Sequence, residues 1–175
     1  MPGSPADLLA RFFDVLTARG LTATERDQVS NWLGPGLTTV FFSQPPADQR
    51  HGYHAATIVM ASGGAAPDVV VAALIHDVGK RHSRLGVLGR SIASILIIAR
   101  LPLTRRFRAY RDHGMLAARE LGRLGAPGLA IDFALHHHGR RPPSIDQPTW
   151  ELLVAADRPP KPSAMPWGRI TSTGT

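Results

Sequence analysis

Apolar side chains recur every three or four positions along most of the chain, which is the spacing of helices that bury one face. The first such stripe covers residues 6–19 and stops at Gly20. A second helix is predicted from residue 24 to the Gly-Pro-Gly turn at 34–36. The next segment, 37–44, is ambiguous. Its β-branched and aromatic residues favour a strand, but a short helix suits its helical neighbours better.

The rest of the chain continues with helical segments that proline and glycine separate. Prolines that suit the first turn of a helix begin two of them, and Pro102 ends a third. Residues 159–175 are rich in proline and lack periodicity, which predicts an irregular C-terminal tail. The chain is therefore predicted to be all-α, a helical bundle with its sites between facing helices. These later helices are predicted at 45–62, 67–79, 88–100, 105–124 (as one helix or two), 127–139 and 149–157.

Composition limits the classes of function. The 175 residues include no cysteine, which excludes disulfides, thiolate metal sites and a cysteine nucleophile. A hydrophobic content of 43% is typical of a globular domain. The first residues lack the basic segment of a signal peptide, and the longest apolar run, 91–99, falls short of the ~18–20 residues that span a bilayer. These features predict a cytoplasmic protein.

The net charge of +7 comes mostly from arginine. A basic surface attracts phosphorylated ligands, and arginine makes planar two-point contacts with phosphate. A GC-rich coding background would also enrich arginine without any functional cause. The Arg-rich segment 100–111 follows the apolar run 91–99, and we favour a buried helix there. A helix on an anionic membrane surface, or a contact with nucleic acid, is the alternative.

The segment AALIHDVGK, residues 72–80, carries the strongest chemical signal. His76 and Asp77 end an apolar run, and an ionised carboxylate is costly to bury unless a charge or a metal compensates it. A divalent cation would partner both groups. Further candidates on the chain are His51 before this segment and, after it, His113, the triplet His136, His137 and His138, and Asp157.

These residues resemble the signature of the HD-domain metal-dependent phosphohydrolases, which is a His, then His-Asp, then a late Asp. The resemblance covers residues 45–158, with 1–44 as an N-terminal helical extension. It implies one metal site formed by His51, His76, Asp77 and Asp157. His54, one helical turn after His51, is a rival for the first ligand.

The same resemblance, to two-metal members such as HD-GYP proteins, implies a second metal. Its ligands would be His113, His137 and His138, with Asp77 bridging the two ions. Successive helical residues rotate by about 100°, so the three consecutive histidines cannot all face inward. The resemblance selects His137 and His138 and implies that His136 lies on another face. Imidazole and carboxylate ligands suit Mn, Fe, Zn, Mg, Co or Ni.

The resemblance further implies a metal-activated water that attacks phosphorus. Asp77 and Lys80 would be the catalytic residues, with Lys80, Arg81 and His82 facing a phosphorylated substrate, most simply a nucleotide. The Gly-Tyr-Pro tripeptide of HD-GYP proteins is missing from residues 139–148, which argues against cyclic di-GMP as the substrate. The alternative is a metal-binding nucleotide sensor or docking module without turnover. The sequence does not predict the oligomeric state.

Overall fold

The protein is entirely helical where its structure is described. The computed structural model covers residues 20–63 and 66–158, so the predicted helix 6–19 and the tail 159–175 lie outside the described residues. No strand occurs within the described ranges, which confirms the all-α prediction. The α-helices there are α1 (Ala23–Phe42), α2 (Pro46–Ala61), α3 (Pro67–Ile75), α4 (Val87–Ile98), α5 (Arg105–Arg111), α6 (His113–Arg123), α7 (Gly128–His136) and α8 (Gln147–Ala156). A 3₁₀ helix, Val78–Ser83, lies between α3 and α4.

Helix α1 consists of two helical segments joined at a kink. Its start is a capping box, in which the Thr22 hydroxyl accepts from the Glu25 backbone N–H and the Glu25 carboxylate accepts from the Thr22 backbone N–H. At Gly34 the backbone has φ 70°, a left-handed conformation that favours glycine. The predicted turn is this kink, and the ambiguous segment after it is helical as far as Phe42.

Helix α3 is the centre of the core. Every residue from Val69 to Ile75 is buried, and α3 contacts α1, α2, α7 and α8. A short helix that is apolar on all sides is expected to be surrounded in this way. The helix ends earlier than predicted, at Ile75, and the chain continues into the 3₁₀ helix. Helix α1 shares this core through Val29 and Phe41, which are fully buried.

Three glycines allow neighbouring backbones to approach unusually closely around α3 and α6. A β-carbon at any of them would lie 2.0–2.6 Å from a carbonyl oxygen of an adjacent element, where no side chain fits. They are Gly52 on α2, Gly79 in the 3₁₀ helix and Gly114 on α6, which face the carbonyls of Leu74, His113 and Ala134 respectively. These contacts set the spacing of the elements that carry the candidate site.

Candidate metal centre

Helices α2, α3, α6, α7 and α8 bring the seven predicted metal ligands to one region of the molecule. His76 is the C-cap residue of α3, and Asp77, with φ −98° and ψ 2°, turns the chain into the 3₁₀ helix. His113 begins α6, whereas His137 and Asp157 are the C-cap residues of α7 and α8. Three helices thus direct their C-terminal ends, which carry partial negative charge, towards this region, and that arrangement favours a cation.

The ligand atoms form two groups, and within each group they lie within 4.8 Å of one another. Asp77 belongs to both groups. The structure therefore has two positions, joined by one carboxylate, at which His and Asp side chains could hold a metal ion. The first group is His51, His76, Asp77 and Asp157, and the second is Asp77, His113, His137 and His138.

The two oxygens of Asp77 face different groups. Its Oδ2 lies 3.5 Å from His76 Nε2 and 3.7 Å from His51 Nε2. Its Oδ1 lies 3.3 Å from His113 Nε2 and 3.4 Å from His137 Nε2. Asp77 is only 3% exposed, so water cannot compensate its charge. A carboxylate placed in this way can bridge two cations, one on each oxygen.

Backbone carbonyls determine which imidazole nitrogen carries the proton. The Nδ1 atoms of His76, His113 and His137 lie 3.0, 2.6 and 2.9 Å from the carbonyl oxygens three residues earlier. A carbonyl can only accept a hydrogen bond, so each Nδ1 donates. In the neutral imidazole the lone pair is then on Nε2, the atom that faces Asp77. The carbonyls thus fix the tautomer that a metal ligand needs.

The close contacts among His113 Nε2, His137 Nε2 and Asp77 Oδ1 are unfavourable unless positive charge lies between these atoms. The Nε2 atoms of His113 and His137 are 3.4 Å apart, and in the neutral tautomer neither can donate to the other. Asp77 Oδ1, which both of them face, is fully buried and accepts no well-formed hydrogen bond from any described residue. A cation among these atoms would replace lone-pair repulsion with three bonds. The residues therefore fit a divalent ion with nitrogen and oxygen ligands.

The two carboxylates of the centre are ionised. Burial by itself would raise the pKa of Asp77, but the Lys80 ammonium and His76 outweigh it and hold this pKa well below its usual value. Burial likewise opposes ionisation of Asp157, yet His76 and the hydrogen bond from His51 lower its pKa strongly. Two negative charges in a largely buried cluster are the electrostatic requirement for holding a divalent cation.

The histidines respond to these charges in opposite directions. Burial lowers the pKa of His76, but Asp77 and Asp157 outweigh burial, and the net pKa is raised. At His137 burial dominates and lowers the pKa. The ring of His138 lies 3.9 Å from that of His137, and partial desolvation beside the imidazoles of His137 and His113 lowers the pKa of this exposed side chain. His137 and His138 of the second group are therefore neutral imidazoles at neutral pH, the state that binds metals.

Lys80 is the cation closest to the first group. Its Nζ donates to Asp77 Oδ2, three residues earlier, and these positions are stacked in a 3₁₀ helix because it has three residues per turn. Burial would lower the pKa of Lys80, but Asp77 outweighs it and the pKa is raised. The ammonium is thus charged beside the predicted ligands.

The remaining candidates lie outside the two ligand groups. Neither His54 nor His136 contributes to them. His82 places Nε2 3.0 Å from Glu120 Oε2, and Arg81 donates to the other oxygen of Glu120 and to the carbonyl of Val78. Glu120 on α6 thus fixes both basic side chains. Sequence reasoning did not find Glu120, because 38 residues separate it from His82 and no local pattern connects them.

A basic cavity of about 480 Å³ opens beside Lys80. This volume is typical of pockets for small molecules. Arg84 is exposed and forms no ion pair with the described residues, so its charge is free for a ligand. The lining contains four basic side chains and no acidic one, and consists of Ser43, Gln44, Pro45, Lys80, Arg81, Arg84, Leu85, Gly86 and Arg90.

Comparisons of the chain with protein-family models, with curated proteins and with solved structures found no match. Within residues 20–63 and 66–158, no helix has the length and apolar content needed to cross a membrane.

Proposed function

We propose that the chain is a metal-dependent phosphohydrolase of the HD-domain type, with two divalent ions at its centre. The observation that carries this proposal is the position of Asp77, whose two buried oxygens face separate groups of imidazole nitrogens. A purely structural ion pair would need only one such group. The order of the ligands along the chain, His51, His76-Asp77 and Asp157, supports the same family.

Divalent ions at such a centre activate water and neutralise charge on phosphoryl oxygens. The residues of the chain orient this chemistry. Backbone carbonyls accept from Nδ1 of His76, His113 and His137, so Nε2 is the atom that each imidazole would offer to an ion. Asp77 fixes both positions through one carboxylate, and Asp157 supplies the second negative charge of the first group.

The substrate is proposed to be a small phosphorylated molecule, with a nucleotide as the simplest case. Lys80 stands between Asp77 and the basic cavity, so its ammonium can turn from the carboxylate to a phosphate oxygen. Arg84 adds a free guanidinium in the same cavity, suited to two-point contact with phosphate. The cavity volume of about 480 Å³ accommodates a mononucleotide more readily than a polymer.

Elemental analysis combined with a substrate panel tests this function. Full-length protein from medium supplemented with manganese, iron and zinc should contain close to two ions per chain and hydrolyse a nucleotide or an aryl phosphoester. Asp77→Asn keeps the shape but removes the charge, so it should lose the metal and at least about 100-fold in turnover. Asp132→Asn is the matched control, because its carboxylate accepts a hydrogen bond from Ser144 outside both ligand groups.

The outcomes separate enzyme from sensor. Metal binding without turnover of any phosphoester would favour the nucleotide sensor and contradict the enzyme. Equal metal content in Asp77→Asn and wild type would contradict the metal centre itself.

Lys80→Met distinguishes the proposed role of this lysine from that of a ligand. Methionine keeps the apolar stem but removes the ammonium that competes for Asp77 Oδ2. We expect metal affinity to stay equal or to rise, whereas turnover falls by about tenfold or more because the phosphate loses its cation. A metal titration followed by steady-state kinetics measures both quantities. Unchanged turnover would remove Lys80 from the mechanism.

A further inference from the structure

Helix α4 presents an apolar face that the described part of the bundle leaves exposed. The large apolar side chains on one face of α4 and just after it are between 50% and 68% exposed. They recur at positions 88, 92, 95 and 98, the spacing of one helical face, and continue at position 101. The exposed residues are Leu88, Ile92, Ile95, Ile98 and Leu101.

The opposite face of α4 attaches it to the protein. Ala93 is fully buried, and Arg90 forms a two-point ion pair with Asp48 on α2, with Nη2 2.6 Å from Oδ2. Helix α4 also packs against α5. The exposed apolar side chains therefore belong to an ordered, anchored helix. The favoured sequence interpretation, a buried helix, holds for one face only.

The charge around this face has one sign. Residues 84–111 contain seven arginines and no aspartate or glutamate. Arg100 and Arg105 are exposed and make no ion pair with any described residue. An apolar stripe with unpaired arginines beside it complements a surface that is apolar inside and anionic outside. A second copy of the same arginine-rich face would instead bring like charges together.

We propose that α4 and the residues after it dock on an anionic lipid membrane. With 12 residues α4 is too short to span a bilayer, so it lies in the interface with Leu88, Ile92 and Ile95 towards the acyl chains. Arg100 and Arg105 contact the lipid headgroups. This docking rests on the surface of α4 and is independent of the metal centre.

Flotation of the full-length protein with vesicles tests this surface. We expect binding to vesicles of equal parts phosphatidylcholine and phosphatidylglycerol, and little binding to phosphatidylcholine alone. Raising the salt from about 0.1 M to about 1 M shortens the Debye length from about 10 Å to about 3 Å and should weaken binding strongly. Ile92→Gln/Ile95→Gln should reduce the partition coefficient at least about tenfold. Arg100→Gln/Arg105→Gln should reduce it by about fivefold per arginine.

Matched double variants control for general loss of hydrophobicity and charge. Met60→Gln/Leu124→Gln removes two exposed apolar side chains elsewhere, and Arg119→Gln/Arg123→Gln removes two exposed arginines of α6. Both should bind vesicles like wild type, and thermal melts check that every variant is folded.

Three results would overturn the proposal: no binding of wild type to the anionic vesicles, equal binding to neutral vesicles, or unchanged binding of the Ile92/Ile95 variant. Sedimentation supplies a fourth. If wild type dimerises, the Ile92/Ile95 variant is monomeric and neither floats, the face joins two copies of the chain.

Discussion

The described residues neutralise the negative charge of Asp77 only in part. Lys80 compensates Oδ2, and the raised pKa of His76 allows a proton to compensate part of the rest. Oδ1 has no comparable partner, because the imidazoles that face it at 3.3 and 3.4 Å present lone pairs. The two oxygens of Asp77 therefore differ in how well their charge is compensated. The second group, which faces Oδ1, is the position where a cation would compensate more charge.

Single substitutions should remove the two ions independently. His113→Ala takes a ligand from the second group only, and Asp157→Ala takes one from the first. We expect each variant to retain about one ion per chain, with at least about 100-fold weaker affinity at the altered position. Elemental analysis and isothermal titration measure the stoichiometry. His136→Ala, outside both groups, is the control and should keep two ions. Loss of both ions from His113→Ala would show that the groups do not bind separately.

The residue types and their order in the sequence were sufficient to nominate the candidate ligands, because they resemble the signature of the HD-domain phosphohydrolases and because a buried carboxylate needs a compensating charge. The same resemblance separated His136 from the two histidines after it, and His136 lies outside both ligand groups. The orientation of Asp77 could not be predicted, since it depends on elements that approach from positions 26 to 60 residues away in the chain. The arrangement of Arg81 and His82 on Glu120 was unpredictable for the same reason.

At the scale of elements, the distance between the 3₁₀ helix and α6 decides whether the second group exists. Gly79 faces the backbone of α6, and a β-carbon there would lie 2.0 Å from the His113 carbonyl oxygen and 2.9 Å from the Ala117 nitrogen. Both are backbone atoms, so neither can move aside without moving the helix. The close approach of α6 thus requires glycine at position 79, next to Lys80. The sequence motif shows the glycine but not this reason for it.

Gly79→Ala should push α6 away and carry His113 with it. We expect a loss of about 1–3 kcal/mol in unfolding free energy from overpacking. We also expect the metal content to fall from two ions to one, because the first group has no ligand on α6. Thermal melts and elemental analysis measure the two effects. Gly36→Ala is the control, since a β-carbon there meets nothing within 4 Å. Two ions in a folded Gly79→Ala protein would contradict the spacing argument.

The stabilisation that the contact between α1 and α2 gives the protein should depend on pH through Glu25. This carboxylate caps α1 and forms a two-point ion pair with Arg50, with oxygen–nitrogen distances of 2.5 and 2.9 Å. The hydrogen bond from Arg50 is the main cause that lowers the pKa of Glu25 from 4.5 to about 2. Because the folded-state pKa is lowered, the ion pair stabilises the protein above pH 4.5, and this contribution is lost as the pH falls towards 2.

Glu25→Gln isolates this charge, because glutamine still completes the capping box. We expect the variant to be less stable than wild type by about 0.5 kcal/mol at pH 7, as for a solvent-screened pair. The difference should vanish between pH 4.5 and 2. Denaturant titrations across this range measure it, with Glu151→Gln on the exposed side of α8 as the control. A difference that stays constant with pH would exclude the ion pair as its cause.

At the scale of the whole molecule, the centre connects five helices that are distant in sequence. Metal bound in this way stabilises the folded chain by RT ln(1 + [M]/Kd), about 2.7 kcal/mol at a concentration of 100 times Kd. We therefore expect added Mn²⁺ or Zn²⁺ to raise the melting temperature by roughly 5–10 °C and a chelator to reverse the shift. Differential scanning calorimetry measures it. Asp77→Asn should show no metal-dependent shift, and an equal shift in that variant would place the binding elsewhere.

The helical class was predictable from periodicity because helix formation is local, and the kink at Gly34 was visible as a Gly-Pro-Gly turn. The end of α3 at Ile75 was not, since the sequence has no proline or glycine that would stop a helix before Gly79. We attribute the end of α3 to tertiary packing, because the 3₁₀ helix that follows packs against α6 and Asp77 lies next to His113. The exposed face of α4 was equally hidden, because an apolar run looks the same whether or not other helices cover it.

The burial of the candidate ligands also affects the rate at which a bound ion would be released. Side chains of His76, Asp77, His113 and His137 are 0–5% exposed, whereas His51 and Asp157 are 31% and 22% exposed. Solvent would therefore reach an ion held by the first group from the side of His51 and Asp157, and one held by the second group from the side of the exposed His138. The rate of ion release would then depend on how often these side chains move and not on the concentration of chelator. A centre of ordinary affinity would in this way retain its ions far longer than that affinity implies.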